Sequence, residues 1–403
     1  GKAVTKMMEK IRSNQKLVDA ISAGGLACTM DGWLALLNPV RNFQDGYLSP
    51  ERQQALSGAA YTKYATHSAK TCHGCPVNCD VIFSIPDGPY AGTRWAGVEG
   101  DVQWDFGAKL DIADITATIK LHALCTNLGL DVDSTSGAIS WAFESYQRGV
   151  LTNKETDGLQ LEWGNVEAVI ELIRRIAQRE GIGDLLADGC KKASEKVGKG
   201  SEAWAIHVKG QDLAEALRAD KGWALGCVVS PRAGGHTRGA PLPFCMPEPY
   251  DPTAYEGQPE RVVRTERLHA VQDCLGLCNI PSQWVNEAFP GLEDYSRLYS
   301  AALGKDIGLD SFLDIAEDVV MLEKLYNQIH AGFDRSDDYP PTRLMKEPLP
   351  SGPMKGQRLS RKEWDKMLDK YYQLHNWDTA SGKITELKVS RILGSITMAF
   401  KLA

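Results

Sequence analysis

Apolar residues recur along much of this chain at spacings of three and four, the signature of helices that bury one face. Val166, Val169, Ile170, Ile173 and Ile176 form one such stripe, and Phe312, Ile315, Ala316, Val319, Leu322, Tyr326 and Ile329 form a longer one. Each predicts an amphipathic helix with that face packed inward. Further helices are expected near 4–22, 111–127, 134–148, 260–275 and 361–374, with Asp133 or Ser134 placed to cap the third of these. Apolar–polar alternation is scarce, and Asp80 to Ile85 is the best strand candidate. The expected fold class is therefore mainly α and multihelical, in two helical domains, 1–207 and 208–403, divided where the composition changes near Gly198 to Lys209.

Glycine and proline punctuate the remainder. Ser230 to Pro259 holds glycines at 234, 235 and 239 and a run of prolines, so it cannot be a continuous helix and is long enough to carry function. Pro340 to Gly356 is expected to be a surface crossing before the last helix.

Composition and charge narrow the function classes. At 403 residues, 43% apolar and 24% charged, the chain can bury a large core. Its net charge is −7 and it has no block of five Lys or Arg, which argues against nucleic acid as a partner. No stretch approaches the roughly eighteen apolar residues of a membrane span, and the first residues hold no signal-peptide core, so a cytoplasmic protein is expected. The chain begins with Gly1 already in a helical pattern, as a split subunit or a fragment would.

Ten cysteines are too few for a disulfide scaffold, but three of them cluster. Cys72-His73-Gly74-Cys75-Pro76-Val77-Asn78-Cys79 spaces three thiols at x2 and x3, so one short loop can aim them at a common centre. A [4Fe–4S] cluster needs a fourth thiolate, and Cys274 and Cys278, where a helix ends at Gly276, are the leading candidates. Structural zinc on four cysteines, or on three with His73, competes with iron, as do thiols with no metal. Cys28, Cys125, Cys190, Cys227 and Cys245 read as core thiols. Glu266-x2-His269 reads as a surface pair, and His67, His122, His207, His330 and His375 belong to no constellation.

These residues resemble a known family, the tungsten-containing aldehyde:ferredoxin oxidoreductases. The resemblance rests on Cys-x2-Cys-Pro-x2-Cys at 72–79, Arg41-Asn42-Phe43-Gln44, Asn127-Leu128-Gly129-Leu130-Asp131, and Ser230-Pro231-Arg232 through His236-x-Arg238-Gly239. It continues with Asp273-x2-Gly276-Leu277-Cys278 and Glu347-Pro348-Leu349-Pro350-Ser351-Gly352-Pro353, in the family's order. It implies two helical domains packed around a metal–cofactor site at their junction, without the family's β-rich N-terminal pterin-binding domain, which a partner subunit or an upstream segment would supply. It implies a [4Fe–4S] cluster on Cys72, Cys75, Cys79 and Cys278, and a tungsten or molybdenum bis-pterin.

By the same resemblance Asp273 meets a pterin, with Gly276 and Leu277 beside it. The sister motif places Thr126, Asn127, Gly129 and Asp131 at the other pterin, with Thr126 where the family has aspartate. His236 would be the active-site histidine and Arg238 a basic group beside the pterin. Glu99 and Asp101 stand where the family shows Glu-aromatic-Glu, with the second acid shortened and the aromatic replaced by Gly100. The implied activity is oxidation of a small aldehyde to an acid, with electrons leaving through the cluster to ferredoxin or another acceptor. The alternatives are an iron–sulfur relay or scaffold subunit without pterin, and a member acting on another substrate such as an aromatic thioester. A second copy of the chain is a further expected partner.

Overall fold

The computed structural model describes residues 1–66, 72–98, 100–242, 250–386 and 389–390. Helices of nine residues or more are α1 (Lys2–Arg12), α2 (Gln15–Gly24), α3 (Ile115–Asn127), α4 (Val132–Gln147), α5 (Val166–Gln178), α6 (Gly189–Val197), α7 (Lys221–Val229), α8 (Gln258–Leu275), α9 (Leu292–Leu303), α10 (Leu309–His330) and α11 (Arg361–Leu374). The strands are short: β1 (Ala65–Thr66), β2 (Ile82–Ser84), β3 (Arg94–Ala96), β4 (His207–Val208) and β5 (Gln211–Asp212). The mainly α expectation holds. Among the described residues no helix is long and apolar enough to cross a membrane.

The chain forms two compact units. One, here the cysteine-loop unit, comprises Gln15–Ala219 and Pro341–Arg358; the other, the histidine-loop unit, comprises Gly1–Asn14, Asp220–Pro340 and Leu359–Ala403.

In the cysteine-loop unit α4 is the central helix, buried on all sides from Thr135 to Ser145. Its cap is Asp131, not Asp133 or Ser134. Asp131 is the last residue with extended backbone, and its carboxylate accepts the Ser134 N–H at 2.8 Å, whereas 133 and 134 are already helical. In α5 the expected stripe is inward, with Val169, Ile170, Ile173 and Ile176 buried, each such side chain contributing about 1.5–3 kcal/mol. The predicted strand is β2. It pairs antiparallel with β1 and β3, and Phe83 lies opposite both Ala65 and Trp95. The expected surface crossing at 340–356 is not one: Thr342–Lys346 is a short helix, and Arg343, Leu344 and Leu349 are buried.

In the histidine-loop unit α8 packs against α7, α10 and α11. The long stripe on α10 is overturned in part. Phe312 and Ala316 are buried, but Ile315, Leu322, Tyr326 and Ile329 are exposed, Tyr326 and Ile329 by 62% and 65%. The inward face instead carries Val320, Met321 and Leu325 with Glu317 and Lys324, two charges that enter because Arg267 and His375 pair with the first and Asp338 with the second. Glu266 and His269 are likewise fully buried rather than a surface pair. Glu266 accepts from the Tyr371 hydroxyl at 2.7 Å and lies 3.0 Å from His375 Nε2, so His375 does belong to a constellation.

Candidate functional site

The cysteine loop connects β1 to β2. Within it Gly74 (φ +71°) and Asn78 (φ +57°) take left-handed backbone, each reversing the chain, and the Cys75 N–H closes a turn on the Cys72 carbonyl at 3.0 Å. Fully buried Val77 pins the loop, and its carbonyl accepts from Ser22 Oγ at 2.9 Å. Cys72 is exposed, Cys75 and Cys79 are half-buried, and none forms a disulfide. Three thiols on a curled turn suit iron or zinc chemically; among the described residues no three His, Cys, Asp or Glu side chains are already gathered as a ligand set. Cys274 and Cys278 belong to the histidine-loop unit and both are exposed, with the Ile280 N–H donating to Cys278 Sγ at 3.5 Å.

The two sister motifs end their helices in the same way. At the end of α3 the Leu130 N–H returns to the Cys125 carbonyl at 3.1 Å and the Gly129 N–H to Thr126 at 3.0 Å, with Gly129 at φ +73°. At the end of α8 the Leu277 N–H returns to Gln272 at 2.8 Å and the Gly276 N–H to Asp273 at 3.3 Å, with Gly276 at φ +66°. Both are Schellman ends, in which glycine supplies the left-handed residue. Thr126 and Asp273 therefore occupy equivalent positions, and Gly129 and Gly276 are the reversals that carry the chain to Asp131 and Cys278. Their side chains differ in use. Thr126 Oγ1 donates back to the His122 carbonyl at 2.6 Å, while the Asp273 carboxylate faces Arg238 at 2.8 Å. Asn127 is exposed and Leu277 half-buried.

His236 and Arg238 share a single 3-10 turn, His236–Arg238, in the glycine-rich loop. The loop is wedged by missing side chains: a Cβ at Gly239 would lie 2.5 Å from Glu266 Cγ on α8, and one at Gly226 on α7 would lie 2.4 Å from Ala240 Cα. Arg238 Nη2 meets both Asp273 Oδ2 and Glu323 Oε1 at 2.8 Å. Its Nη1 and the Glu323 Oε2 are buried with no hydrogen-bond partner. Burial pushes the Glu323 carboxyl up, opposed by Arg238. Arg232, Thr237, Arg238, Asp273, Glu323 and Tyr326 line a cavity of about 620 Å³. A guanidinium paired with two carboxylates along such a cavity is a donor and acceptor set that suits a polar heterocycle such as a pterin.

Of the two candidate acids, Glu99 lies outside the described residues, as do His67 and Cys245. Asp101 leads into a π-turn, Gln103–Gly107, whose five residues are all buried, a conformation frequent at functional sites. Gly100 has no room for a side chain, because a Cβ there would meet Met30 Cγ at 2.7 Å. Behind Asp101 lies a polar core that the sequence did not reveal. Lys109 Nζ and Ser136 Oγ both bond Asp105 Oδ1 at 2.6 Å, with Lys109 and Asp105 fully buried. Burial, then Asp105, Asp101 and Glu215, push the Asp133 carboxyl well up. Burial pulls His122 down to about 4, opposed by Asp105. Charged residues at these spacings look like solvated helix positions, so no local signal marks them.

Comparison with known proteins gives the family. The family described as "Aldehyde ferredoxin oxidoreductase, domains 2 & 3" matches residues 2–392. The chain belongs to this family. A tungsten-containing aldehyde ferredoxin oxidoreductase of Pyrococcus furiosus is 32% identical over 96% of the chain and 63% of its own length. The aliphatic sulfonate oxidoreductase, WOR-like subunit, of the same organism is 31% identical over 84% of the chain and 52% of its own length. The chain thus spans less than two thirds of these relatives. In fold it is similar to the active site complex BamBC of benzoyl coenzyme A reductase in complex with 1,5-dienoyl-CoA, with a TM-score of 0.74, 19% identity, and coverage of 97% of this chain and 64% of that one.

Proposed function

We propose that this member of the aldehyde ferredoxin oxidoreductase family oxidises an aldehyde to a carboxylic acid at a tungsten or molybdenum bis-pterin centre and passes the electrons through a [4Fe–4S] cluster to ferredoxin or another acceptor. The observation that carries this reading is the Arg238–Asp273–Glu323 arrangement, one guanidinium paired with two carboxylates, lining a cavity beside the turn that holds His236. Asp273 and Arg238 hold one pterin, with Gly276 and Leu277 shaping that helix end; Thr126, Asn127, Gly129 and Asp131 form the equivalent end for the second. Cys72, Cys75, Cys79 and Cys278 are the cluster ligands. A β-rich pterin-covering domain, on a partner subunit or elsewhere in the same protein, completes the site.

When bound, the metal–pterin supplies a two-electron acceptor and the cluster a one-electron exit. Aldehyde plus water gives the acid, two electrons and two protons, and the chain's own residues manage the protons. His236 donates a hydrogen bond to the carbonyl oxygen as it gains negative charge, and Asp101 with Glu99 accepts a proton from the attacking water. Asp101, one methylene shorter than glutamate, reaches less far, so either it works through a water or the substrate differs, an aromatic thioester taken in the reductive direction being the alternative.

The second reading is an iron–sulfur relay subunit. It is favoured by Thr126, whose hydroxyl is turned back into its own helix. Metal analysis of anaerobically purified protein separates the two. Tungsten or molybdenum near one equivalent with about four irons supports the enzyme, and iron alone supports the relay. Cys278→Ala should lose the iron while Cys274→Ala keeps it; colourless, iron-free protein would sink both readings.

A further inference from the structure

We propose that Trp223 and Trp284, whose indoles both lie nearly parallel to the His236 imidazole, are positioning residues that hold the plane of that ring and so the plane of its N–H, a role that rests on the assignment of His236 to the reaction made above. Both indoles are close to parallel with the imidazole. The Trp223 centroid lies 5.1 Å from that of His236 with 20° between planes, and the Trp284 centroid lies 6.0 Å away with 8° between planes. Both distances are within the range of offset stacking. An imidazole donates and accepts only in its ring plane, so two indoles parallel to it hold the plane in which a proton can be delivered.

Each indole is itself anchored. Trp223 stands in the first turn of α7, where the buried Asp220 carboxylate accepts its backbone N–H at 2.7 Å, and its side chain is held by packing, only 3% exposed. Trp284 donates its indole N–H to the Ala240 carbonyl at 2.8 Å, and the fully buried His269 ring meets it edge-on at 5.1 Å and 77°. Ala240 is four residues past His236 and lies against Gly226 of α7, so both indoles are tied to the loop they orient. A polar, half-buried ring held this way, two residues before the cavity-lining Arg238, is over-constrained for a packing role alone.

The test uses the full protein labelled with 13C at histidine Cε1. The His236 resonance, identified by its loss in His236→Gln, should lie upfield from ring currents of the two indoles. Trp223→Leu or Trp284→Leu should move it downfield, whereas Trp223→Phe and Trp284→Phe should keep most of the shift. In the holoenzyme the Leu variants should lose turnover roughly ten- to a hundredfold with KM little changed, and the Phe variants should recover much of it. An unshifted wild-type resonance, or Leu variants that move neither resonance nor turnover while His236→Gln is inactive, would overturn the positioning role. Full turnover by His236→Gln would instead overturn the assignment of His236, and with it the need for that role.

Discussion

His375 sits fully buried with Nε2 3.0 Å from Glu266 Oε2 and Nδ1 2.8 Å from Glu317 Oε1. Burial alone would lower its pKa, but the hydrogen bonds and charges of the two glutamates outweigh it and raise the pKa above the ordinary 6.5. The folded state therefore holds its proton to higher pH than the unfolded chain does. That stability is complete below about pH 6.5 and is lost as pH rises through the folded pKa. His375→Gln removes the group that titrates, so its urea midpoint should fall less than the wild type's between about pH 6 and pH 9. Parallel declines would show that the triad carries no pH-linked stability. Nothing around His375 in the sequence announces this role, since its partners lie 58 and 109 residues away. The cysteine trio and the His236–Arg238 turn stand out because their members are neighbours; the Lys109–Asp105–Ser136 core and the Trp223 and Trp284 indoles do not, because their meaning depends on what the fold brings beside them.

The same limit operates on helices. Periodicity located α5, α8, α10 and α11 within a few residues, because a strong apolar repeat leaves few other ways to bury it. On α10 it misassigned the face. A pattern built from apolar residues alone cannot know that Glu317 and Lys324 have buried partners, and those two charges rotate the inward face toward Val320, Met321 and Leu325. Met321 is fully buried, so Met321→Ala should cost about 2–5 kcal/mol in urea unfolding. Ile329 is 65% exposed, so Ile329→Ser should change stability by no more than about 0.5 kcal/mol. The reverse order would restore the stripe as the packed face. Short elements such as the π-turn at Gln103–Gly107 have no period to read and emerge only in the structure.

For the whole molecule, the least legible feature is that neither unit is continuous in sequence. Pro341–Arg358 joins the cysteine-loop unit more than a hundred residues after the main part of that unit ends, and Arg343 shows what holds it there. Its Nη2 lies 2.6 Å from Glu144 Oε1 on α4, and its Nη1 bonds Glu144 Oε2 and the Asn42 carbonyl, both at 2.8 Å. Asn42 is the middle of three consecutive residues, Arg41 to Phe43, with left-handed backbone at φ +46°, +53° and +64°, a conformation non-glycine residues rarely sustain. The Asn42 amide also donates to Glu144 at 2.7 Å and the Trp204 carbonyl at 2.9 Å, and Arg218 caps the Phe43 carbonyl at 2.6 Å. One buried guanidinium thus anchors a late segment, compensates the Glu144 charge and helps hold a strained turn. Arg343→Ala leaves that charge and carbonyl with a partner removed and should cost about 3–5 kcal/mol. Arg148 also pairs with Glu144, but its side chain is 47% exposed, so Arg148→Ala should cost under about 1 kcal/mol. Hydrogen exchange should show where the loss falls: in Arg343→Ala the amides of 41–45 and 344–349 should lose protection together, while those of α11 keep theirs. Loss confined to 344–349 would mean that the turn stands without Arg343.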